Sequence, residues 1–294
     1  MSGAKGGILM LCCNLGDDRV TPLTAHQFHT IRRRISQLEP MQEGGDLSLA
    51  TLESIGVPAP LREQMLSLLE RDSALQWYLR GAERHFVSVL TRLDEDYPAW
   101  MEEKLSRNAP PLLFSLGNTA LLRTPCVSLV GSRNLQKDNL LFAERIGMLA
   151  AKEGYTLVSG GADGADSVAQ EACLRHGGKV IVFLPDKLTD RKERENVLYL
   201  SEEGYDVPFS AQRALNRNRL IHAAGEITFV AQCTENHGGS WRGSVENLHN
   251  RWSPVYVYDD GSTHARALMN HGAEPIDLPQ SIRQLQSEIS LFSL

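Results

Sequence analysis

"LVSGGADGADSVAQEA", residues 157–172, is the stretch on which the fold turns. It opens with apolar Leu157 and Val158, passes glycines at 160, 161 and 164, and ends in a run with helical spacing. That order reads as a strand, a glycine turn and a helix. Turns of this kind commonly cradle a phosphate, because small residues let the backbone approach and N–H groups at a helix start attract anions. Here the turn also carries Asp163 and Asp166, and a carboxylate close to a phosphate repels it.

Working outward, the same alternation recurs from residue 123. Apolar, β-rich runs stand at "CVSLVGS" (126–132), "YTLVSG" (155–160), "KVIVFLP" (179–185), "EITFVAQ" (226–232) and "PVYVYD" (254–259). Amphipathic stretches separate them, including "NLLFAERIGMLAAKEG", "ALNRNRLIHAAG" and "SVENLHNRW". Strands that are apolar throughout and alternate with helices imply a mainly parallel sheet covered on both faces. The expected fold is therefore α/β, an extended Rossmann-like, doubly wound sheet over residues 94–294. Residues 1–93 read as a small helical, helix-hairpin-like domain. In it, "TPLTAHQFHTIRRRIS" offers a threonine cap and places Phe28, Ile31 and Ile35 at helical spacing. "LESIGVP" suggests a helix-turn-helix unit, used either for packing or for touching nucleic acid. Pro98, Pro110 and Pro111 mark residues 92–122 as an interdomain connection.

Composition narrows the function classes. The chain of 294 residues carries a formal charge of −6, which argues against wholesale coating of nucleic acid but leaves room for one basic groove. No apolar run reaches the roughly 18 residues of a membrane-spanning helix, so no membrane partner is expected. The five cysteines form no CxxC pair, which argues against a disulfide framework and a zinc site and suits a reduced, cytoplasmic protein. No HExxH or GxSxG arrangement appears, and no catalytic residue, metal or cofactor is expected.

In a doubly wound sheet, ligands bind beyond the carboxyl ends of the strands where the strand order reverses. "GSRN" follows the first strand, "SGGADGAD" the second, and "CTENHGGSWRGS" the strand at 226–232. The glycines at 160, 161 and 164 only approximate G-x-G-x-x-G. Each glycine turn taken alone is explained by tight strand-to-helix packing. Two of them beside Arg133 point to an anionic ligand. "QRALNRNRLIHAA" adds Arg213, Arg217 and Arg219; the last two cannot share one helical face, and either could lie on a solvated basic surface. Asp163 and Asp166 could do acid–base work or simply stabilise the positive end of a helix. Trp241, Phe209 and Tyr205 are candidates for base stacking or for core packing.

In order along the chain, "DYPAWMEEKLSRNAPPLLFSLGN", "VSLVGSRN", "LVSGGADGADSVAQEACLRHGGKVIVFL" and "NRNRLI" resemble the DprA/Smf family of DNA-processing proteins. The resemblance implies a dimeric, non-enzymatic protein that binds single-stranded DNA. Family members protect incoming DNA in natural transformation and help load the RecA recombinase. By position, Arg133 matches the family's DNA-contacting arginine, and Ser132, Gly160, Gly161, Arg217 and Arg219 fall in matching motif positions. With their neighbours, the candidate nucleic-acid- or nucleotide-binding set is Gly131, Ser132, Arg133, Ser159, Gly160, Gly161, Arg217, Asn218, Arg219, Gly239 and Ser240. Departures are Asp163, where relatives often have arginine, and "GSWRGS" in place of Gly-Ser-x-x-Thr-Ala. No winged helix, which many relatives carry at the C-terminal end, is expected. For the first departure, the expectation is that Ser159–Gly161 supply backbone contacts while Asp163 points away, pairs with an arginine such as Arg217, or bonds a base or ribose edge. A different reading on the same fold is a sensor or processor of a nucleotide-derived ligand (SLOG/LOG-like). "GGSWRGSVENL" faintly resembles the LOG loop Gly-Gly-x-Gly-Thr-x-x-Glu, but Asn247 stands where its catalytic glutamate would be.

Overall fold

The computed structural model describes residues 3–36 and 49–286. Five helices come first: α1 (Gly3–Cys12), α2 (Ala25–Ile35), α3 (Leu49–Ser54), α4 (Ala59–Leu69) and α5 (Asp72–Arg84). There follow β1 (Ser88–Thr91), α6 (Ala99–Leu105), β2 (Leu112–Leu116), β3 (Cys126–Val130), α7 (Lys137–Glu153), β4 (Thr156–Ser159) and α8 (Ala165–Arg175). The rest are β5 (Lys179–Phe183), β6 (Val197–Ser201), α9 (Ala211–Asn216), α10 (Asn218–Ala224), β7 (Thr228–Val230), α11 (Gly238–Asn250), β8 (Val255–Tyr258), α12 (Thr263–Asn270) and β9 (Glu274–Ile276).

The strands form one sheet in the order β1-β2-β6-β5-β4-β3-β7-β8-β9. From β6 to β9 every pairing is parallel, while β1–β2 and β2–β6 are antiparallel. Successive side chains of a strand point to opposite faces, and both faces here are apolar. Val127 and Leu129 meet Phe142, Ile146 and Ala169 of α7 and α8 in one core; Cys126 and Val130 join Leu220 and Ile221 of α10 in the other. This is the doubly wound α/β architecture expected from sequence.

Four strands were not legible as such: β1, β2, β6 and the edge strand β9. β1 falls within the stretch that reads as helical up to residue 93, yet Ser88–Thr91 pairs with Leu112–Ser115. β2 lies in the segment that reads as an interdomain connection, and all five of its residues are buried. β6 supplies the edge on which this antiparallel extension is built. The helical segment also shares a core with the sheet: Leu9 of α1 and Tyr78 of α5 pack in the same cluster as Phe114. Helices α2–α4 enclose a smaller core of Ile31, Leu52, Met65 and Leu68. The cap of α2 is Thr24, which accepts from Gln27 N while Gln27 Oε1 accepts from Thr24 N.

Candidate functional site

Strand order reverses between β3 and β7: the chain winds β3-β4-β5-β6 in one direction and β7-β8-β9 in the other. A cleft of about 670 Å³ opens beyond the carboxyl ends of these two strands. Its lining includes Gly131, Ser132, Arg133, Arg217, Asn218, Gly239 and Ser240, seven of the residues singled out from sequence, together with Asp166, Phe209, Gln232, His237 and Arg242.

The turn after β3 presents its cation. Ser132 N donates to Gln232 O at 2.9 Å, Gln136 N donates to Gln232 Oε1 at 2.9 Å, and Gln232 Nε2 donates to Asn134 O at 3.2 Å. Gln232, which the sequence did not single out, thereby clamps residues 132–136 from the neighbouring strand end. Arg133 is left exposed, with no ion pair or side-chain hydrogen bond among the described residues.

The turn after β4 is closed on itself. The Asp166 carboxylate bends back from the first turn of α8 and accepts from Gly160 N at 3.0 Å and Ala162 N at 3.2 Å. Ser159 is fully buried and its hydroxyl accepts from Gln170 Nε2. These groups, expected to meet a ligand, are occupied within the protein, and Ser159, Gly160 and Gly161 do not line the cleft. Gly160 is needed for another reason: a Cβ there would stand 1.9 Å from Arg217 Nη1.

The two arginines separated by one residue take opposite fates. Arg217 is buried at the cleft, donates from Nη1 to Phe183 O at 2.6 Å and leaves Nε without a partner. Burial pulls its proton affinity down, opposed by the charges of Asp166 and Asp186. Burial likewise pushes the Asp166 carboxyl above the usual carboxylate range, opposed by Arg217 and the two amides. Asp166, rather than Asp163, is therefore the acid that offsets Arg217; Asp163 is exposed and makes no ion pair among the described residues. Arg219 does not join this group. It pairs with Glu202 (Nη1–Oε1 3.0 Å) and lines a separate cleft of about 810 Å³ between residues 12–26 and α9–α11. Arg213 is likewise bound to Glu203, at 2.6 Å.

The glycine-rich stretch after β7 is not a loop, as sequence suggested, but the first turn of α11. Asn218 Nδ2 donates to Gly239 O at 3.0 Å and fixes that turn against α10. His237, at the cap position, gives no side-chain capping bond, so the positive end of a 13-residue helix opens on the cleft. Arg242, also missed from sequence, is exposed without an ion pair among the described residues and lines both clefts. Its signal was available: it lies in the quoted "GGSWRGS", one turn from the helix start.

Among the stacking candidates, Trp241 and Tyr205 are buried and serve packing, the latter against Tyr78 at 4.5 Å between ring centroids. Phe209 is 56% exposed at the cleft. Asn247 does not face the cleft. It is fully buried, with Nδ2 bonded to Ser253 Oγ at 3.0 Å and His222 Nδ1 at 3.2 Å and Oδ1 accepting from Ser253 N at 2.9 Å. Burial holds that imidazole neutral, its pKa lowered to about 3. No group of three or more potential metal ligands occurs among the described residues, and none of their helices is long and apolar enough to cross a membrane.

A family model described as DNA recombination-mediator protein A matches residues 88–286. Over 188 residues the chain is 29% identical to Protein Smf of Synechocystis sp., an overlap of 59% of this chain and 47% of that protein. The chain thus spans about half the length of this curated relative. Its fold is similar to that of DNA processing protein A from Streptococcus pneumoniae, with a TM-score of 0.76, 23% identity and 98% and 99% of the two chains covered. It is also similar to DNA processing protein A from Helicobacter pylori, with a TM-score of 0.58, 25% identity and 69% and 96% covered. The Helicobacter pylori protein has its own single-stranded DNA binding mode.

Proposed function

The chain belongs to the DNA recombination-mediator protein A family of DNA-processing proteins, and on that premise we propose that it binds single-stranded DNA in the switch-point cleft without cutting it. The observation that carries this reading is the convergence of two exposed, unpaired arginines, Arg133 and Arg242, on one cleft. The positive end of α11 faces the same space and adds to its attraction for a phosphate. Phe209 offers a ring on which a base stacks. Glycines at 131 and 239 let the cleft walls close on one another, since a Cβ there would meet Ala165 or Asn218. The burial of Asn247 favours a binding role over hydrolysis, since it leaves no acid or amide at the position where a LOG-like enzyme needs its glutamate. In the same reading the protein works in the cytoplasm as a homodimer. It shields single-stranded DNA and hands it to a RecA recombinase during transformation or recombination.

The test is fluorescence anisotropy with a labelled single-stranded oligonucleotide, wild type beside Arg133→Ala, at low and moderate salt. Binding should weaken steeply with salt, because phosphate contacts release counterions. Arg133→Ala should lose at least about tenfold in affinity with an unchanged melting temperature, since a charged hydrogen bond contributes about 1.5–3 kcal/mol. Tight binding of a mononucleotide with no affinity for oligonucleotides would replace this reading with a small-ligand sensor.

A further inference from the structure

Helix α5 buries Leu75, Tyr78 and Ala82 and turns an unusual face outward. Trp77 is 65% exposed, and Arg80 and Arg84 follow it at steps of three and four residues, on the same side of the helix. The three stand about 4.5 and 6 Å apart along the axis. Neither arginine makes an ion pair or side-chain hydrogen bond among the described residues.

The helix then closes with Phe86 N donating to Glu83 O at 3.0 Å and Val87 N to Ala82 O at 2.9 Å. This closure places Phe86 at φ 57°, where glycine is normally found, and leaves its ring 79% exposed. A phenylalanine here gains no packing and strains the backbone, so neither burial nor local geometry accounts for it. Phe86 and Trp77 are the two most exposed of the large apolar side chains among the described residues.

We propose that the outer face of α5 is a second contact surface for single-stranded nucleic acid, Trp77 and Phe86 stacking on bases while Arg80 and Arg84 meet phosphates. This rests on the single-stranded DNA reading of the cleft. Arg80 and Arg84 outnumber the one acid beside them, exposed Glu83 three residues after Arg80, in a chain whose net charge is −6. Its apolar members are planar rings interleaved with cations, the pattern that grips bases and backbone together. Ser73 and Ala74 continue the face, so it lacks the contiguous apolar centre that a protein partner needs. The inner face of α5 ties the two sites to one scaffold. Tyr78 donates to Asp206 at 2.7 Å and accepts from Tyr205 N at 3.3 Å, just ahead of Phe209 at the cleft. A short oligonucleotide fills the cleft alone; a longer one also reaches α5.

The experiment uses the full chain with oligothymidylates of about 6 and about 25 nucleotides, chosen to fall below and above the usual site sizes. Of the four tryptophans, Trp77 is the exposed one. The long oligomer should therefore quench wild-type fluorescence but not that of Trp77→Phe. The triple variant Trp77→Ala/Arg80→Gln/Arg84→Gln should bind the long oligomer about tenfold more weakly and the short one unchanged. Phe86→Gly should melt at a higher temperature than wild type and still bind the long oligomer more weakly, which separates a contact from a folding role. If these variants hold the long oligomer as wild type does while Arg133→Ala loses it, the outer face is not on the strand's path and the cleft reading stands alone. If wild type binds neither length, the cleft reading falls and this proposal with it. Quenching of Trp77 by polyglutamate and not by oligothymidylate would assign the face to an acidic protein and overturn the proposal.

Discussion

Two glycine-bearing turns lie side by side at the carboxyl ends of β3 and β4, and they are built to opposite plans. The turn at 131–134 receives its hydrogen bonds from a neighbouring strand, through Gln232, and leaves the Arg133 guanidinium unpaired in solvent. The turn at 159–166 satisfies its Gly160 and Ala162 amides with its own buried Asp166. The second resembles a phosphate cradle in sequence, yet an internal carboxylate already occupies the place of the anion. The turns also touch. Ala165 N donates to Ser132 O at 3.1 Å, and a Cβ on Gly164 would stand 2.3 Å from Arg133 O. The closed turn is the base on which the open one rests. A glycine motif therefore indicates close backbone approach, and whether a ligand or the protein itself makes that approach depends on where the nearest carboxylate points.

The strongest way to break this comparison is to remove the internal anion. Asp166→Ala leaves two amides and the buried Arg217 without their acid, and should destabilise the protein by about 3–5 kcal/mol in urea unfolding. A loss below about 1 kcal/mol would mean that Asp166 does not hold the turn closed. Gly164→Ala attacks the contact between the turns. Gly164 sits at φ 85° and has no room for a side chain, so the variant should lose about 2–3 kcal/mol of stability. It should also weaken oligonucleotide binding, because Arg133 must shift with its carbonyl. Retained affinity in a destabilised Gly164→Ala protein would show that the closed turn does not position the open one. Arg133→Ala supplies the contrast, losing affinity without stability.

Within the parallel half, β3, β4, β5, β7 and β8 were legible because each is an apolar run set off by helical stretches, whereas β6 and β9 were not. Nor was the antiparallel extension. Short β1 follows a helical stretch, and the prolines before β2 mask five consecutive buried residues. At the site, Arg133 was legible as the cation directly after a strand. Spacing showed that Arg217 and Arg219 must face different ways, but which of them is buried depends on Glu202 arriving from β6, a strand the sequence did not reveal. For the two acids the clue was local. Asp166 shares the buried face of α8 with Ala169 and Cys173 at steps of three and four residues, whereas Asp163 precedes the helix and has no such phase.

The smallest effect tests that last distinction. Asp163 is exposed, outside the cleft lining and unpaired among the described residues, so water and salt screen most of its charge from any bound strand. Asp163→Asn should leave the melting temperature unchanged and raise oligonucleotide affinity by at most about fivefold, and only at low ionic strength. A gain that persists at moderate salt would place this carboxylate on the phosphate path. The turn after β4 would then repel the ligand directly rather than merely ignore it. A loss of affinity would mean that Asp163 bonds a base or sugar edge, and the second turn would then count as part of the site rather than as its support.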